Sequence, residues 1–170
     1  MDLAPFIRAV PDFPKPGIIF RDITPLLRDP RAFGDAIGQL ADRYRGARVD
    51  VVAAAEARGF IFAAPMALEL KVGFVPVRKP GKLPLDTHAF HYDLEYGSDT
   101  LEIQRDGIAA AQRVLLIDDL LATGGTMEAC CRLVEKASAT VVGCAFLIEL
   151  ESLGGAKRLA PYHPYSLLRF

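Results

Sequence analysis

The stretch "VLLIDDLLATGGT", residues 114–126, decides the fold class of this chain. It begins with four aliphatic residues, continues with two adjacent carboxylates, and ends in a loop of small residues with a Gly-Gly pair. A short apolar run that ends in polar groups is typical of a buried strand in a parallel sheet. We therefore expect residues 114–117 to form a strand that places Asp118 and Asp119 at the carboxyl edge of the sheet.

The loop that follows the two aspartates has the composition of an anion site. Its residues are Ala122, Thr123, Gly124, Gly125 and Thr126. Small residues let backbone N–H groups approach a phosphate closely, and the dipole of a following helix and the two threonine hydroxyls would assist. The loop is not a Walker loop, because no lysine follows a glycine, and it lacks the G-x-G-x-x-G pattern. A phosphate site beside two carboxylates suits a sugar phosphate, with a metal ion or vicinal hydroxyls near the carboxylates.

The rest of the chain alternates between strand-like and helix-like segments. Helices are predicted at 30–46, 60–70 and 126–137, and strands at 49–55, 73–77, 114–117 and 141–148. Residues 90–104 do not fit this alternation of strands and helices. Apolar and polar residues alternate on both sides of Gly97-Ser98-Asp99, which predicts a β-hairpin. The pattern therefore indicates one α/β domain over residues 1–170, with a mainly parallel sheet flanked by helices.

Composition excludes several classes of partner. The 170 residues carry a formal net charge of −1, so no overall basic field favours nucleic acid or anionic lipid. No apolar run reaches the roughly 18 residues of a membrane span, and the first ten residues do not resemble a signal peptide. The three cysteines are an odd number and are expected to be reduced. We expect a cytoplasmic protein that binds neither nucleic acid nor membrane.

Two basic segments follow other predicted strands. Arg58, in "EARGF", can offer a planar set of donors to a polyanion. The segment alone would favour a surface Glu-Arg pair, but its position after a second predicted strand favours the anion site. Arg78, Lys79 and Lys82, in "RKPGK", surround a Pro-Gly pair that predicts a type II turn. These three cations would repel one another unless an anion is present, but a solvated basic turn is the alternative.

The opening stretch resembles the phosphoribosyl pyrophosphate signature of the type I phosphoribosyltransferases. Four other segments match the same family in order: "FPKPGIIFRDIT" (13–24), "EARGFIF" (56–62), "VPVRKPGKLP" (75–84) and "YDLEYGSDTLEI" (92–103). Together the matches extend from residue 13 to about 155. The resemblance implies the type I phosphoribosyltransferase fold, with a flexible β-hairpin hood at about residues 83–103.

For the phosphoribosyl pyrophosphate site, the resemblance implies one role for each polar segment. Asp118 and Asp119 would bind the ribose 2′- and 3′-hydroxyls, directly or through Mg²⁺, which the substrate itself mainly holds. The loop at 122–126 would hold the 5-phosphate, and Arg58 would bind pyrophosphate. The family supplies some cations of the 78–82 turn, which are Arg78, Lys79 and Lys82, across a dimer interface, so a homodimer is expected.

The resemblance also assigns a hood and a base site. Glu95 and Tyr96 in the hood would be catalytic, although the alternation of the hairpin alone makes Glu95 an ordinary solvent-facing residue. The base-binding residues would be Ile19, Phe20, Arg21 and Leu150. For Leu150 the alternative is a plain core position at the end of a long strand.

The activity that the resemblance implies is Mg²⁺-dependent purine salvage, in which adenine and phosphoribosyl pyrophosphate give AMP and pyrophosphate. Two alternatives stay open. One is a transferase of the same fold that uses another purine base. The other is a non-enzymatic regulator that binds phosphoribosyl pyrophosphate, which would normally need a DNA-reading module.

Overall fold

The computed structural model describes residues 1–93 and 98–170 and has an α/β architecture. The strands are β1 (Arg8–Pro11), β2 (Ile19–Asp22), β3 (Val51–Ala55), β4 (Gly73–Val77), β5 (Thr87–Asp93), β6 (Ser98–Gln104), β7 (Arg113–Leu121), β8 (Thr140–Glu149) and β9 (Pro164–Arg169). The helices are α1 (Thr24–Arg28), α2 (Pro30–Tyr44), α3 (Arg58–Leu70), α4 (Gly125–Lys136) and α5 (Gly155–Arg158). Short 3-10 helices lie at Ala4–Phe6, Glu151–Leu153 and Ala160–Tyr162.

The central sheet has five strands in the order β4-β3-β7-β8-β9, and every pair is parallel. All five residues of β3 are buried, because the sheet is covered on both faces. Val52 and Ala54 belong to a core shared with α2 and α3, while Val51, Ala53 and Ala55 belong to a core shared with α4. The predicted parallel sheet with flanking helices is confirmed.

The predicted amphipathic helix at 30–46 is α2, which ends two residues earlier, at Tyr44. Asp29 caps its start, because a carboxylate oxygen accepts hydrogen bonds from the N–H groups of Arg31 (2.9 Å) and Ala32 (3.1 Å). Ile37 and Leu40 are buried in the first core, as the apolar stripe predicts.

The predicted hairpin is an antiparallel pair, β5 and β6, with Phe90 opposite Leu101. It begins at Thr87, three residues before the alternating segment. Leu101 and Ile103 are buried in the core on the α4 side, and Phe90 packs against the same core. Lys136, at the end of α4, donates a hydrogen bond to the Ala89 carbonyl oxygen at 3.0 Å. The hairpin is therefore attached to the helix that follows the small-residue loop.

In the part of the chain that the structure describes, no helix combines the length and the apolar character that crossing a membrane would require.

Candidate functional site

The two aspartates lie inside strand β7 rather than after it. We predicted a strand at 114–117, but β7 continues to Leu121. The neighbouring strand β8 extends alongside it, so that Asp118 lies opposite Phe146 and Leu121 opposite Glu149. The backbone of both aspartates is therefore fixed by the sheet, and only a short loop separates them from α4.

Asp118, Asp119 and Arg58 line one cavity of about 220 Å³, together with the small-residue loop. Arg58 is the first residue of α3, and its Nε atom lies 3.1 Å from Asp119 Oδ2. Asp119 is only 3% exposed. Asp118 Oδ1 accepts a hydrogen bond from the Asp119 N–H at 2.9 Å. In place of the surface Glu-Arg pair, which was the alternative interpretation of this segment, Arg58 pairs with a buried aspartate.

Both carboxyl groups have raised pKa values. Burial, followed by the charge of Asp119, raises the pKa of Asp118 to about 8. Burial also raises the pKa of Asp119, and the guanidinium of Arg58 opposes that change. Because burial disfavours charge, the cavity favours a proton on Asp118 at neutral pH. A cation or a pair of hydroxyl donors would favour the ionised carboxylate instead.

The loop at 122–126 leads directly into the N-terminus of α4. Gly124 has φ +82°, a left-handed conformation that glycine adopts without strain, and α4 starts at Gly125. The first N–H groups of a helix have no partners within the helix, so they are available to an anion. The loop therefore has the backbone geometry of a phosphate site.

A second glycine, Gly155, packs against the backbone of this loop. A Cβ atom on Gly155 would collide with the Ala122 carbonyl oxygen and would lie 2.7 Å from Leu121 Cδ1. A Cβ atom on Gly124 would in turn lie 3.2 Å from the Gly155 carbonyl oxygen. The start of α5 and the loop therefore contact each other backbone to backbone, which only glycine permits here. Our sequence analysis missed this contact, and the pair Gly154-Gly155 was its signal.

The basic turn that follows β4 has carboxylate partners. The Lys82 N–H donates to the Lys79 carbonyl oxygen at 3.3 Å, and Gly81 has φ +75°, in agreement with the predicted type II turn. Glu56 Oε1 accepts hydrogen bonds from the Arg78 Nε–H (3.2 Å) and from the Lys79 N–H (2.8 Å).

Acidic residues thus neutralise part of this basic cluster. Lys79 Nζ lies 2.6 Å from Asp99 Oδ2 on β6. These partners come from β6 and from the loop after β3, which the sequence spacing alone did not reveal.

The predicted base-binding residues divide between two faces of β2. Ile19 and Arg21 line a cavity of about 470 Å³ with Leu150 and Phe170, where the Arg21 guanidinium carbon lies 4.1 Å from the centre of the Phe170 ring. Phe20 points to the other face, because side chains alternate along a strand.

There Phe20 lines a smaller cavity of about 190 Å³ with Val10, Phe13 and Asp22. Its ring meets that of Phe13 edge to face at a centroid distance of 5.1 Å, and the Arg58 guanidinium lies 5.9 Å from its centroid. The structure brings Ile19, Arg21 and Leu150 together and places the Phe20 ring on the side towards Arg58.

The two predicted catalytic residues, Glu95 and Tyr96, lie outside the described residues. The hood strand before them packs against the core on the α4 side through Tyr92, whose side chain lies near that of Thr126. Burial raises the pKa of Tyr92 above its usual value. The hood is therefore adjacent to the start of α4 and, through Asp99, paired with the basic turn.

Comparisons with known proteins agree with this geometry. A family model described as the phosphoribosyl transferase domain matches residues 26–168. An adenine phosphoribosyltransferase of Rhodopirellula baltica is 60% identical over 170 residues, which are 100% of this chain and 82% of that protein.

Solved structures show the same likeness. The crystal structure of adenine phosphoribosyltransferase from Thermoanaerobacter pseudethanolicus has a TM-score of 0.95 and 52% identity, covering 99% of this chain and 98% of that one. The enzyme from Saccharomyces cerevisiae, complexed with D-2,5-dideoxy-2,5-imino-altritol 1,6-bisphosphate and adenine, has a TM-score of 0.92 and 39% identity, covering 98% and 96%.

The chain therefore belongs to the phosphoribosyltransferase family, and the resemblance drawn from its sequence is confirmed. Its type I phosphoribosyltransferase fold is confirmed as well. Within the family, its likeness extends over nearly the whole chain to the adenine phosphoribosyltransferases.

Proposed function

We propose that this protein is a purine salvage transferase that makes AMP and pyrophosphate from adenine and phosphoribosyl pyrophosphate. The observation that carries the proposal is the single cavity in which Arg58, two aspartates and a helix N-terminus meet. A phosphate at the helix N-terminus would place the ribose hydroxyls of the same molecule beside the aspartates. The names of the relatives identify adenine as the acceptor base.

In this proposal, the N–H groups of the loop at 122–126 and the hydroxyls of Thr123 and Thr126 hold the 5-phosphate. Asp118 and Asp119 accept hydrogen bonds from the ribose 2′- and 3′-hydroxyls. The ion pair with Arg58, whose side chain is half-exposed, keeps the buried Asp119 side chain in one orientation. The sugar is thereby oriented before the reaction begins, which is the main contribution of positioning to catalysis.

Pyrophosphate binding is assigned to Arg58 and to the turn that carries Arg78, Lys79 and Lys82. Two of these cations already have carboxylate partners, since Arg78 pairs with Glu56 and Lys79 pairs with Asp99. Pyrophosphate carries more charge than either carboxylate, so it would displace them and draw the turn towards the cavity. The charge that develops on the leaving group is then stabilised by cations already in place.

Magnesium is proposed as the cofactor, and the donors present fit it. Two carboxylates line the cavity, and a divalent cation would favour the ionised form of Asp118. Among the described residues, no group of three or more His, Cys, Asp or Glu side chains could hold the ion alone. The substrate oxygens would therefore supply most ligands, with Asp118 and Asp119 acting through water. When bound, the ion neutralises the leaving pyrophosphate.

The base would bind between β2 and the end of β8. Main-chain groups of Ile19 and Arg21 would read the edge of the base, and Leu150, which lines the same cavity, would contact one side of the ring. Phe20 lines the cavity on the opposite face of β2, so stacking on the same ring would require β2 or the Phe20 side chain to move when the base binds. The Leu150 N–H donates to the Leu121 carbonyl oxygen at 2.9 Å, which connects this wall to the strand that carries the aspartates. Main-chain acceptors favour the 6-amino group of adenine, because the 6-oxo group of hypoxanthine would face them with another acceptor.

A competition assay tests this function. The purified protein is incubated with phosphoribosyl pyrophosphate, Mg²⁺ and equal amounts of adenine, hypoxanthine, guanine and xanthine, and the nucleotides are identified by mass spectrometry. AMP alone is expected, and a chelator should suppress it. IMP, GMP or XMP would overturn the base site but keep the phosphate and ribose sites. Binding without any product would favour the regulator.

A homodimer is proposed from an exposed apolar stripe on α3. Ile61, Ala64 and Leu68 recur at spacings of three and four residues, so they lie on one face of the helix, and Leu68 is 80% exposed. The neighbouring strand β4 is an edge of the sheet and leads into the basic turn. A second copy on this surface would cover the stripe and bring its cations near the cavity.

Leu68→Glu is expected to weaken the dimer on the order of 100-fold, because it would bury an unpaired charge. Sedimentation velocity at a series of protein concentrations measures the change. Leu85→Glu is the matched control, since Leu85 is 81% exposed and lies outside α3 and β4. A wild-type monomer, or equal dissociation constants for the two variants, would refute this interface.

The expected cytoplasmic location is kept as a proposal. Cys130, Cys131 and Cys144 are all free and buried, and the Sγ atoms of Cys131 and Cys144 lie 3.6 Å apart, at hydrogen-bonding distance and not joined as a disulfide. Free thiols in such proximity are typical of a reducing compartment.

A further inference from the structure

The helix that would bind the 5-phosphate carries an acidic residue in its first turn. Glu128 follows the start of α4 by three residues, and its side chain is 28% exposed. A carboxylate at a helix N-terminus interacts favourably with the helix dipole when no anion is bound. Beside a bound phosphate the same carboxylate repels it, so the site requires something that neutralises Glu128.

Arg158, at the end of α5, lies against this carboxylate. Its Nε atom is 2.6 Å from Glu128 Oε2. Its Nη1 atom would lie 3.4 Å from a Cβ atom on Gly125, the first residue of α4. The guanidinium therefore sits between Glu128 and the start of the helix, on the outer side of the phosphate loop.

The backbone around Arg158 is held in place by the loop itself. Gly155, three residues earlier, contacts the Ala122 carbonyl oxygen. Leu159, the next residue, is fully buried, and a Cβ atom on Gly124 would lie 3.4 Å from its Cγ atom. The Leu159 N–H donates to the Gly155 carbonyl oxygen at 3.0 Å. The residues on both sides of Arg158 thus contact the loop that it would influence.

We propose that Arg158 is a positioning residue for the 5-phosphate site. It neutralises Glu128 and holds that carboxylate on the outer side of the loop, so that the N–H groups at the start of α4 face the phosphate without a competing negative charge. Arg158 does not line the cavity and acts through Glu128. This inference rests on the proposed function, in which the loop binds the 5-phosphate of phosphoribosyl pyrophosphate.

The test compares Arg158→Met with Arg132→Met. Arg132 is a matched control, because it is exposed to a similar extent (47% against 43%) but bonds mainly to Glu135, at 3.0 Å, and lies 3.8 Å from Glu128. Arg158→Met should raise KM for phosphoribosyl pyrophosphate about tenfold, because it removes the close ionic partner of Glu128 and leaves this carboxylate with only Arg132, at 3.8 Å, to offset its charge near a doubly charged phosphate. Its kcat and its KM for adenine should change less than about twofold, as should all constants of Arg132→Met.

The double variant Glu128→Gln with Arg158→Met separates electrostatics from structural damage. Removing the carboxylate should restore KM for phosphoribosyl pyrophosphate to within about twofold of wild type, since no charge is then left to repel the phosphate. Calorimetric titration with ribose 5-phosphate should show the same loss and rescue without requiring turnover.

The outcomes distinguish this inference from the function beneath it. A wild-type protein that forms no nucleotide overturns the proposed function. If the wild type is active, equal KM values for Arg158→Met and Arg132→Met overturn the role of Arg158. A raised KM that Glu128→Gln does not rescue also overturns it, because Arg158 would then act only by packing.

Discussion

Replacing both Asp118 and Asp119 with asparagine is expected to abolish AMP formation or to raise KM for phosphoribosyl pyrophosphate by about 100-fold or more. Each carboxylate would accept a charge-assisted hydrogen bond from a ribose hydroxyl, worth roughly 1.5–3 kcal/mol. Asparagine keeps the shape of the side chain but removes the charge, and it leaves Arg58 without its ionic partner at 3.1 Å. Initial rates over a range of phosphoribosyl pyrophosphate concentrations measure the effect, and an unchanged KM would contradict the assignment.

A single variant, Asp118→Asn, shows whether such a loss comes from unfolding. Burial raises the pKa of Asp118 from its ordinary value of 3.8 to about 8. The folded protein therefore holds this proton more tightly than the unfolded chain does, and the stability that Asp118 contributes is lost as pH rises through this range.

Asparagine does not titrate, so the variant should melt at a higher temperature than the wild type, and the difference should grow between pH 5 and pH 8. Thermal melting at both pH values checks this result. A difference in Tm that is independent of pH would show that Asp118 is not buried as a neutral acid.

Replacing Glu95 with glutamine is expected to lower kcat by about 100-fold, the usual scale of acid–base assistance, with little change in folding. Adenine must lose its imidazole proton as N9 bonds to C1 of the ribose and pyrophosphate departs. A carboxylate in the hood would accept that proton, and exclusion of water on closure would raise its pKa towards the useful range.

Glu95 itself lies outside the described residues, but the strands before and after it have partners around the cavity. Tyr92 lies near Thr126 in the phosphate loop, and Asp99 pairs with Lys79 in the basic turn. Substrate binding at either place would therefore be sensed by the hood. Steady-state kinetics across a pH series, with melting curves to confirm the fold, measure the effect. A kcat within a few-fold of wild type would show that Glu95 is a contact residue of the hood and not a catalytic residue.

The sheet was predictable because its strands are continuous apolar runs. Residues 73–77 were predicted without error, and the β3 and β8 predictions differ from the structure by at most two residues at either end. A strand buried on both faces needs apolar side chains at every position, so its sequence is distinctive. The C-terminal end of β7 was harder to predict from the sequence, because Asp118 and Asp119 are polar and are kept extended by pairing with the neighbouring strand.

Other elements carry weaker sequence signals. Strand β9, at Pro164–Arg169, contains polar residues and lies at an edge of the sheet, so it lacks a continuous apolar run. The β1–β2 pair is only four residues long in each strand and contains no buried residue, which gives it no apolar stripe. Short, exposed elements depend on tertiary contacts that no local pattern records.

The residues of the site were found by motif, but their partners were not. The pairing of Arg58 with Asp119 joins residues 61 positions apart in the printed sequence, and that of Arg158 with Glu128 joins two helices. Spacing along one chain segment predicts neighbours on one helix or strand, but not contacts between elements. The ion pairs that balance charge within the site could therefore be identified only from the structure.

The contact between Gly155 and the phosphate loop also constrains the order in which the protein can mature. Synthesis delivers the loop at 122–126 about thirty residues before the segment that supports it. A nascent chain synthesised as far as α4 already contains the aspartates, the loop and Arg58. The segment with Gly155, which packs against Ala122, has not yet been made. Affinity for the substrate would then be acquired as one of the last steps of biogenesis. Chains that end before Gly154 would fold much of the sheet but would not bind the sugar phosphate.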